Sequence, residues 1–292
     1  MRVLVIGGTG FIGRHLVARL VAEGHTVWVL SRRGEGPASG ARYVVGDAVT
    51  GAGLEAAVQG QDAVIYLPGI LREARGQTFH GVHVAGVWRT LEALEKAGVA
   101  RYLHMSALGA RPGTGIRYFE TKAEAEALVR ASSLAWTIFR PSFVFGKGDG
   151  FFGGVLKRLV QAPLPVIPLV GDGAFPARPV WVGDVAACFA QALANPGTAG
   201  QAFDLVGPKA YTFKELVLLV RDALGSRKPL LPIPLWLMDR VVPLLDRLPF
   251  TPLTLDQYRM LKLGSTADPA PMRRAFDLEL RPLEAELERI LG

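Results

Sequence analysis

Three glycines, Gly7, Gly10 and Gly13, follow directly on the β-rich run Arg2–Ile6. They open the segment Phe11–Glu23, where Ile12, Leu16, Val17 and Leu20 recur at helical spacing. Glycine makes up 34 of the 292 residues, so the spacing G-x-x-G-x-x-G alone is weak; its position between a strand and a helix gives it weight. Glycines there let the backbone turn tightly and approach a pyrophosphate, and the helix start offers free N–H groups and the positive end of a dipole. On this reading Gly7, Gly10 and Gly13, with Thr9, Phe11 and Ile12 among them, form a dinucleotide cradle. The bland reading is a strand-to-helix turn that binds nothing.

The rest of the first half repeats the strand–helix rhythm. Strands are expected at Thr26–Ser31, Arg42–Val45, Asp62–Leu67, Arg101–Ser106 and Ala135–Arg140, the last stopped by Pro141. A helical turn is expected at Leu54–Val58. Longer helices are expected at Thr78–Ala97, ended by Gly98, and at Tyr118–Ser132. Near-continuous apolar strands alternating with helices imply an α/β fold with a parallel sheet covered on both faces, a doubly wound arrangement. After Pro141 the rhythm changes. Pro163, Pro165, Pro168, Pro176 and Pro179 crowd a loop-rich stretch, before a helix at Val182–Ala194 and a strand at Ala202–Val206. Helices follow at Phe213–Leu224, Leu235–Leu248, Thr254–Leu263 and Pro282–Leu291. The expected domains are a core over 1–143 completed by about 180–206, and a smaller, mainly helical lobe from 144–179 and 207–292.

Composition narrows the function classes. Half the residues are apolar and 20% are charged, which excludes disorder as the main state. One cysteine, Cys188, excludes a disulfide framework and a cysteine-cluster zinc site, and in its apolar helix it reads as a small buried hydrophobe. His80 and His83 share a helical spacing but lack a cysteine or carboxylate to complete a tetrahedral set, so no metal is expected. The net charge of +7 is spread without runs, which argues against a nucleic-acid partner and fits an anionic small molecule. No apolar run is long enough to span a bilayer, and the start does not read as a secretory signal, so a cytoplasmic location is expected.

The second strand ends in Ser31, Arg32 and Arg33, with no carboxylate before Glu35. An acidic residue there would hold a ribose 2′-hydroxyl; arginines suit a 2′-phosphate, so NADP(H) is expected over NAD(H). Asp47, after the third strand, could meet the adenine edge or cap a turn. Tyr118 and Lys122 are four apart on an expected helix and share a face. A lysine beside a phenol favours the phenolate, and a tuned tyrosine exchanges a proton with a carbonyl oxygen as hydride moves. Tyr258 and Lys262 match the same spacing in the late helical region and read as an ordinary surface pair.

GGTGFIG at Gly7–Gly13, YFETK at Tyr118–Lys122 and RPSFVFGKGDG at Arg140–Gly150 resemble the short-chain dehydrogenase/reductase superfamily in its extended or atypical branch. HMSALGA at His104–Ala110, PVWVGDVA at Pro179–Ala186 and TPLTLDQYRML at Thr251–Leu261 are similar to the branch containing the NAD(P)H-binding accessory subunit of respiratory NADH:ubiquinone oxidoreductase. The resemblance implies a Rossmann core, a bound NAD(P)H, and Tyr118 with Lys122 at the nicotinamide. It also places Leu67, Pro68 and Gly69 by the nicotinamide ribose, makes Pro141 and Ser142 cofactor contacts, and gives Ser106 to the substrate carbonyl, with Thr114 as a substitute. Departures lie at Ala107 and Leu108, where many relatives carry serine, and at His83, where relatives show asparagine. His83 either substitutes for it or bonds backbone at a helix start.

Arg140 and Arg178 could clamp a carboxylate or phosphate, or serve as ion pairs. On Leu235–Leu248, Asp239, Arg240, Asp246 and Arg247 form one charged stripe; the helix reads as packed on its neighbours, with a membrane-surface or partner-docking role as the alternative. The expected function is an NADP(H)-binding oxidoreductase of the atypical short-chain type, with a carbonyl or quinone-like small-molecule substrate, Tyr118 and Lys122 catalytic, and Ser106 positioning. The alternatives are a non-catalytic NADPH-binding accessory, assembly or redox-sensing protein, docked to a complex or to the inner face of a membrane, and a nucleotide-sugar epimerase or dehydratase.

Overall fold

Every strand of the main sheet runs parallel, and the strand order turns back on itself once. The computed structural model describes residues 1–74, 76–246 and 253–292. The sheet has seven strands: β1 (Arg2–Ile6), β2 (Thr26–Ser31), β3 (Arg42–Val45), β4 (Ala63–Tyr66), β5 (Arg101–Met105), β6 (Ala135–Pro141) and β7 (Gln201–Leu205). Their spatial order is β7-β6-β5-β4-β1-β2-β3. The chain winds outward from β1 in one direction and from β4 in the other, so the switch point lies between these two strands, where Ile6 pairs with both Leu30 and Tyr66. In such sheets the carboxyl ends of the strands at the switch point form the ligand crevice. Two segments leave there: the glycine turn after β1 and the loop Leu67–Ile70 after β4.

The helices that join the strands are α1 (Phe11–Ala22), α2 (Leu54–Val58), α3 (Gly86–Ala97), α4 (Arg117–Ala131) and α5 (Val182–Ala194). α1 buries Leu16, Val17 and Leu20 completely, about 1.5–3 kcal/mol each by area removed from water. It packs on α5, which buries Ala186, Ala187, Ala190 and Ala192. Cys188 is fully buried on that helix, and burial pushes its thiol pKa far up, so it packs as a hydrophobe. α3 stops at Gly98, whose φ of +70° suits glycine.

The long helix expected over Thr78–Ala97 is not uniform: His80–Ala85 is π-helical before α3 begins. The cause is tertiary. The Tyr66 phenol donates to the Val82 carbonyl at 2.6 Å, and its oxygen stands 2.3 Å from where a Cβ on Gly86 would lie. The turn widens around that phenol.

The chain divides into two compact units, Met1–Pro141 with Val182–Leu205 and Ala270–Leu278, and Ser142–Trp181 with Val206–Pro269 and Glu279–Gly292. Ala270–Leu278, expected with the smaller lobe, belongs to the first unit: Phe276 packs on Phe139 and Phe203 at ring centroid distances of 5.8 and 4.9 Å. Within the second unit, three two-stranded sheets pair Val144–Phe145 with Val180–Trp181, Pro176–Ala177 with Tyr211–Thr212, and Ile167–Val170 with Leu230–Ile233. Helices Phe213–Ala223 and Leu255–Leu263 each start with a reciprocal cap, Thr212 with Glu215 and Thr254 with Gln257. Among the described residues, no helix is long and apolar enough to cross a membrane.

The helix expected over Leu235–Leu248 runs Leu235–Leu245; Arg247 and Leu248, like Thr251 and Pro252 of the late motif, lie outside the described residues. It buries Val242, and leaves Trp236 and Leu244 each 62% exposed. Asp239 accepts hydrogen bonds from the Tyr258 hydroxyl and Lys262 Nζ, both at 2.7 Å. The second tyrosine–lysine pair is therefore no free surface pair. Tyr258 is buried, and the pair ties two helices together.

Candidate functional site

The glycine turn is shaped by steric necessity. A Cβ on Gly13 would lie 2.2 Å from the Gly7 carbonyl oxygen and 2.7 Å from Gly8 Cα, so no other residue fits without moving the turn. Gly7 has φ +82°, and a Cβ there would meet Pro68 at 3.1 Å. The Gly10 N–H closes the turn on the Gly7 carbonyl at 3.1 Å, and Gly10 precedes α1 as an N-cap that offers no side chain. The first N–H groups of a twelve-residue helix are thus presented at the carboxyl end of β1. Thr9 and Gly10 are exposed, Phe11 and Ile12 half-buried. This cradle, bare of side chains and capped by none, fits a dinucleotide pyrophosphate.

Beside the turn, Thr9, Ser31, Arg32, Arg33 and Glu35 line a hollow of about 700 Å³ with Gly36 and Pro37. Arg32 and Arg33 are exposed there, while the Ser31 hydroxyl donates to the Glu35 carbonyl at 3.2 Å and fixes the curl of the loop. Asp47 uses one carboxylate oxygen to accept the Val49 N–H at 2.8 Å, which is the turn-capping reading of that residue.

Tyr118 and Lys122 stand on α4 one turn apart. Lys122 is 2% exposed, and its Nζ donates to the Met105 carbonyl at 2.9 Å and the Pro68 carbonyl at 3.3 Å. It therefore joins the ends of β5 and β4 beneath the loop that carries Leu67, Pro68 and Gly69. Burial lowers the Lys122 pKa to about 7, against the opposing pull of Glu126. Tyr118 departs from expectation. Its phenol is raised, to about 12, by burial. The expected effect of a neighbouring ammonium does not prevail, because Lys122 is itself desolvated and directed at two backbone carbonyls. The Tyr118 ring meets His83 edge-on at 5.4 Å and Phe79 at 6.2 Å.

Ser106 is buried, and its hydroxyl donates to Glu126 Oε1 at 2.6 Å. In this arrangement the hydroxyl proton points at that carboxylate. Glu126 is the residue that sequence reasoning missed. It is 3% exposed and receives a two-pronged contact from Arg140, Nε to Oε1 at 2.7 Å and Nη2 to Oε2 at 2.5 Å. Its signal was its place four residues after Lys122, on the same helical face. Arg140 is thereby an ion-pair residue, reaching also toward Asp204 at 3.9 Å. Thr114 bonds the Ile116 N–H at 3.1 Å at the start of α4.

His83 is fully buried. It accepts the Ile70 N–H at Nε2 (3.2 Å) and contacts Thr121 Oγ1 through Nδ1 (2.9 Å), so it bonds the backbone of the β4 loop rather than of its own helix. His80 faces away, exposed and 3.9 Å from Glu124. Pro141 accepts the Leu108 N–H at 3.0 Å. Ser142 belongs to the second unit, where its hydroxyl meets Ser265 Oγ at 2.8 Å. Arg178, in the same unit, donates to the carbonyls of Gly207, Ala267 and Pro208, so it braces loops instead of clamping an anion.

Comparison with known proteins agrees with this geometry. The sequence profile of a family described as NAD(P)H-binding matches residues 7–196. The 40 kDa subunit of mitochondrial NADH-ubiquinone oxidoreductase from Neurospora crassa is 30% identical over 254 residues, 83% of this chain; the chain spans 65% of that relative's length. A ceramide reductase from Caulobacter vibrioides is 28% identical over 80% of this chain and 73% of its own. Among solved structures, a nucleoside-diphosphate-sugar epimerase from Staphylococcus aureus superposes with a TM-score of 0.80, covering 99% of this chain and 100% of that one at 17% identity, a likeness of fold alone.

Proposed function

The chain belongs to the NAD(P)H-binding family, and on that footing we propose that it is an NADP(H)-dependent reductase of the atypical short-chain type, acting on a carbonyl or quinone-like small molecule. The observation that supports the reading is the bond from Lys122 to the Pro68 carbonyl just after β4, with Pro68 packed on Gly7 and Tyr118 one turn before Lys122 on α4. Gly7, Gly10 and Gly13, with Thr9, Phe11 and Ile12, would hold the pyrophosphate. Arg32 and Arg33 would hold the 2′-phosphate, and the loop Leu67–Gly69 and Lys122 the nicotinamide ribose. NADPH, when bound, supplies the hydride.

The proton comes from Tyr118. A phenol raised to about 12 by burial carries its proton at neutral pH, the form that a hydride transfer to a carbonyl needs at its start. With the Ser106 proton given to Glu126, the substrate oxygen would take its hydrogen bond from Tyr118 alone. Calorimetric titration with NADPH and NADH tests the cofactor, and Tyr118→Phe tests the acid. The reading expects tighter NADPH binding, and a variant that binds NADPH but turns over no carbonyl or quinone. Full activity in that variant would remove Tyr118 from the chemistry.

A second reading is a non-catalytic NADPH-binding partner of a larger assembly. The engagement of Ser106 by Glu126 favours it, and so does the resemblance to a respiratory-complex subunit. Tight NADPH binding without oxidation by any carbonyl or quinone, together with co-purification of a partner, would select it.

A further inference from the structure

The loop Leu67–Ile70 is held from two sides. Lys122 on α4 donates to the Pro68 carbonyl, and His83 in the π-helical segment accepts the Ile70 N–H. The Ile70 N–H donates to Nε2, so the neutral ring carries its proton on Nδ1 and donates to Thr121 Oγ1 at 2.9 Å, while the Thr121 hydroxyl donates to the Arg117 carbonyl at 2.8 Å. The imidazole is thereby one neutral tautomer, protonated at Nδ1 and bare at Nε2. Burial, then the nearby Lys122 and His104, lowers its pKa to about 2, so the ring stays neutral, and its two hydrogen bonds fix which nitrogen holds the proton.

The ring's position is itself enforced. The widened turn that carries it is pinned by Tyr66 on the Val82 carbonyl, and Phe79 packs on the ring at 5.6 Å. Gly69 sits between the two latches; a Cβ there would lie 3.4 Å from Lys122 Nζ and 3.9 Å from His83 Nε2.

Resting on the cofactor reading above, we propose that His83 is a positioning residue: its bond to Ile70 holds the β4 loop in register with Tyr118 independently of Lys122. The lysine contact to Pro68 is the longer of its two, at 3.3 Å against 2.9 Å to Met105, and is the one a ribose hydroxyl would compete with. A loop held only by that ammonium would loosen when the ammonium turned to the cofactor. The neutral imidazole does not turn, because both nitrogens are engaged and the ring is walled by Phe79 and Tyr118.

Two substitutions separate the ring's bonds. His83→Gln can place an acceptor near the Nε2 position and keep the Ile70 bond. His83→Asn can place a donor near the Nδ1 position and keep only Thr121. Each variant is titrated with NADPH and with 2′,5′-ADP, which carries the adenosine end but no nicotinamide half. The expected result is unchanged 2′,5′-ADP binding in both, NADPH binding weakened about tenfold in His83→Asn, the scale of one lost hydrogen bond, and near-parental NADPH binding in His83→Gln. Unchanged NADPH binding in His83→Asn would overturn the proposal. So would equal weakening of both ligands, which marks a general loss of structure, or equal weakening of NADPH in both variants, which assigns the effect to ring packing. A parent protein that binds neither ligand would instead bring down the cofactor reading itself.

Discussion

Lys122 Nζ lies 3.3 Å from the Pro68 carbonyl, and a Cβ on Gly7 would lie 3.1 Å from the Pro68 ring, so one buried lysine ties α4 to the glycine turn through a single residue. The two motifs that make this chain readable are 105 positions apart, from Gly13 to Tyr118, yet they share that neighbour. The arrangement explains why a change in the turn is expected to reach the tyrosine, and why the lysine is expected to affect stability as well as binding.

Gly13→Ala tests the turn. Its methyl would sit 2.2 Å from the Gly7 carbonyl oxygen, a backbone atom that cannot swing aside. The turn must open, at a cost of about 1–3 kcal/mol for forced overpacking, and its N–H groups lose their aim. We expect a lower unfolding midpoint and at least about tenfold weaker NADPH binding by calorimetry. Parental affinity in a folded variant would show that phosphate binding lies elsewhere.

Replacing Arg32 and Arg33 together by alanine tests the choice of nucleotide. Both are exposed beside the hollow next to the turn, so folding should be untouched. Charge-assisted bonds to a phosphate contribute about 1.5–3 kcal/mol, so NADPH affinity should fall about 10- to 100-fold while NADH affinity holds. Equal losses for the two nucleotides would deny these arginines a role in selecting the 2′-phosphate.

Much of this was legible before the structure. Strands β1, β2 and β3 coincide with their expected residues, because Arg2–Ile6, Thr26–Ser31 and Arg42–Val45 carry β-branched side chains and are followed at once by Gly7, Arg32 and Gly46. The two-residue strands Val144–Phe145 and Val180–Trp181 were not legible, since two residues have no period and their pairing spans 36 positions. The π-helical segment at His80–Ala85 follows from a tyrosine fourteen residues earlier and leaves no local mark. In the site, the glycine turn is a local motif and could be read directly. The engagement of Ser106 by Glu126, and of Glu126 by Arg140, depends on how β5, β6 and α4 meet, which residue types alone do not state.

Ser106→Ala separates support from catalysis. The hydroxyl gives a charge-assisted bond to Glu126, which keeps its two contacts from Arg140 when that bond is lost. We expect a loss of about 1–3 kcal/mol in stability by denaturant unfolding, with NADPH binding unchanged. If a reductase assay is established, turnover should stay within about tenfold of the parent, since a removed donor to the transition state would cost about 100-fold or more. A larger drop would return Ser106 to the substrate carbonyl.

Lys122→Met tests the buried ammonium through its linkage to pH. The ordinary lysine pKa of 10.5 applies to the unfolded chain, and burial lowers it to about 7 in the folded one. Between these values the unfolded chain carries a proton that the folded one has shed, so stability must rise with pH across that window. Below about pH 7 both states hold the proton, and the folded protein bears the full cost of a desolvated charge. Above 10.5 both states are neutral and the cost is gone. Methionine has nearly the same length as lysine, suits a buried site and does not titrate. The difference in unfolding free energy, parent minus variant, should therefore climb from pH 7 to pH 10.5 and level off beyond it, by a few kcal/mol at about 1.4 kcal/mol per pKa unit at most. The same variant should bind NADPH more weakly and 2′,5′-ADP normally, because the lysine stands at the β4 loop and not at the arginine hollow. A flat difference across that range would mean that Lys122 keeps its ordinary pKa. Its bonds to the Met105 and Pro68 carbonyls would then offset burial in full, and the ammonium would stay charged throughout the working range.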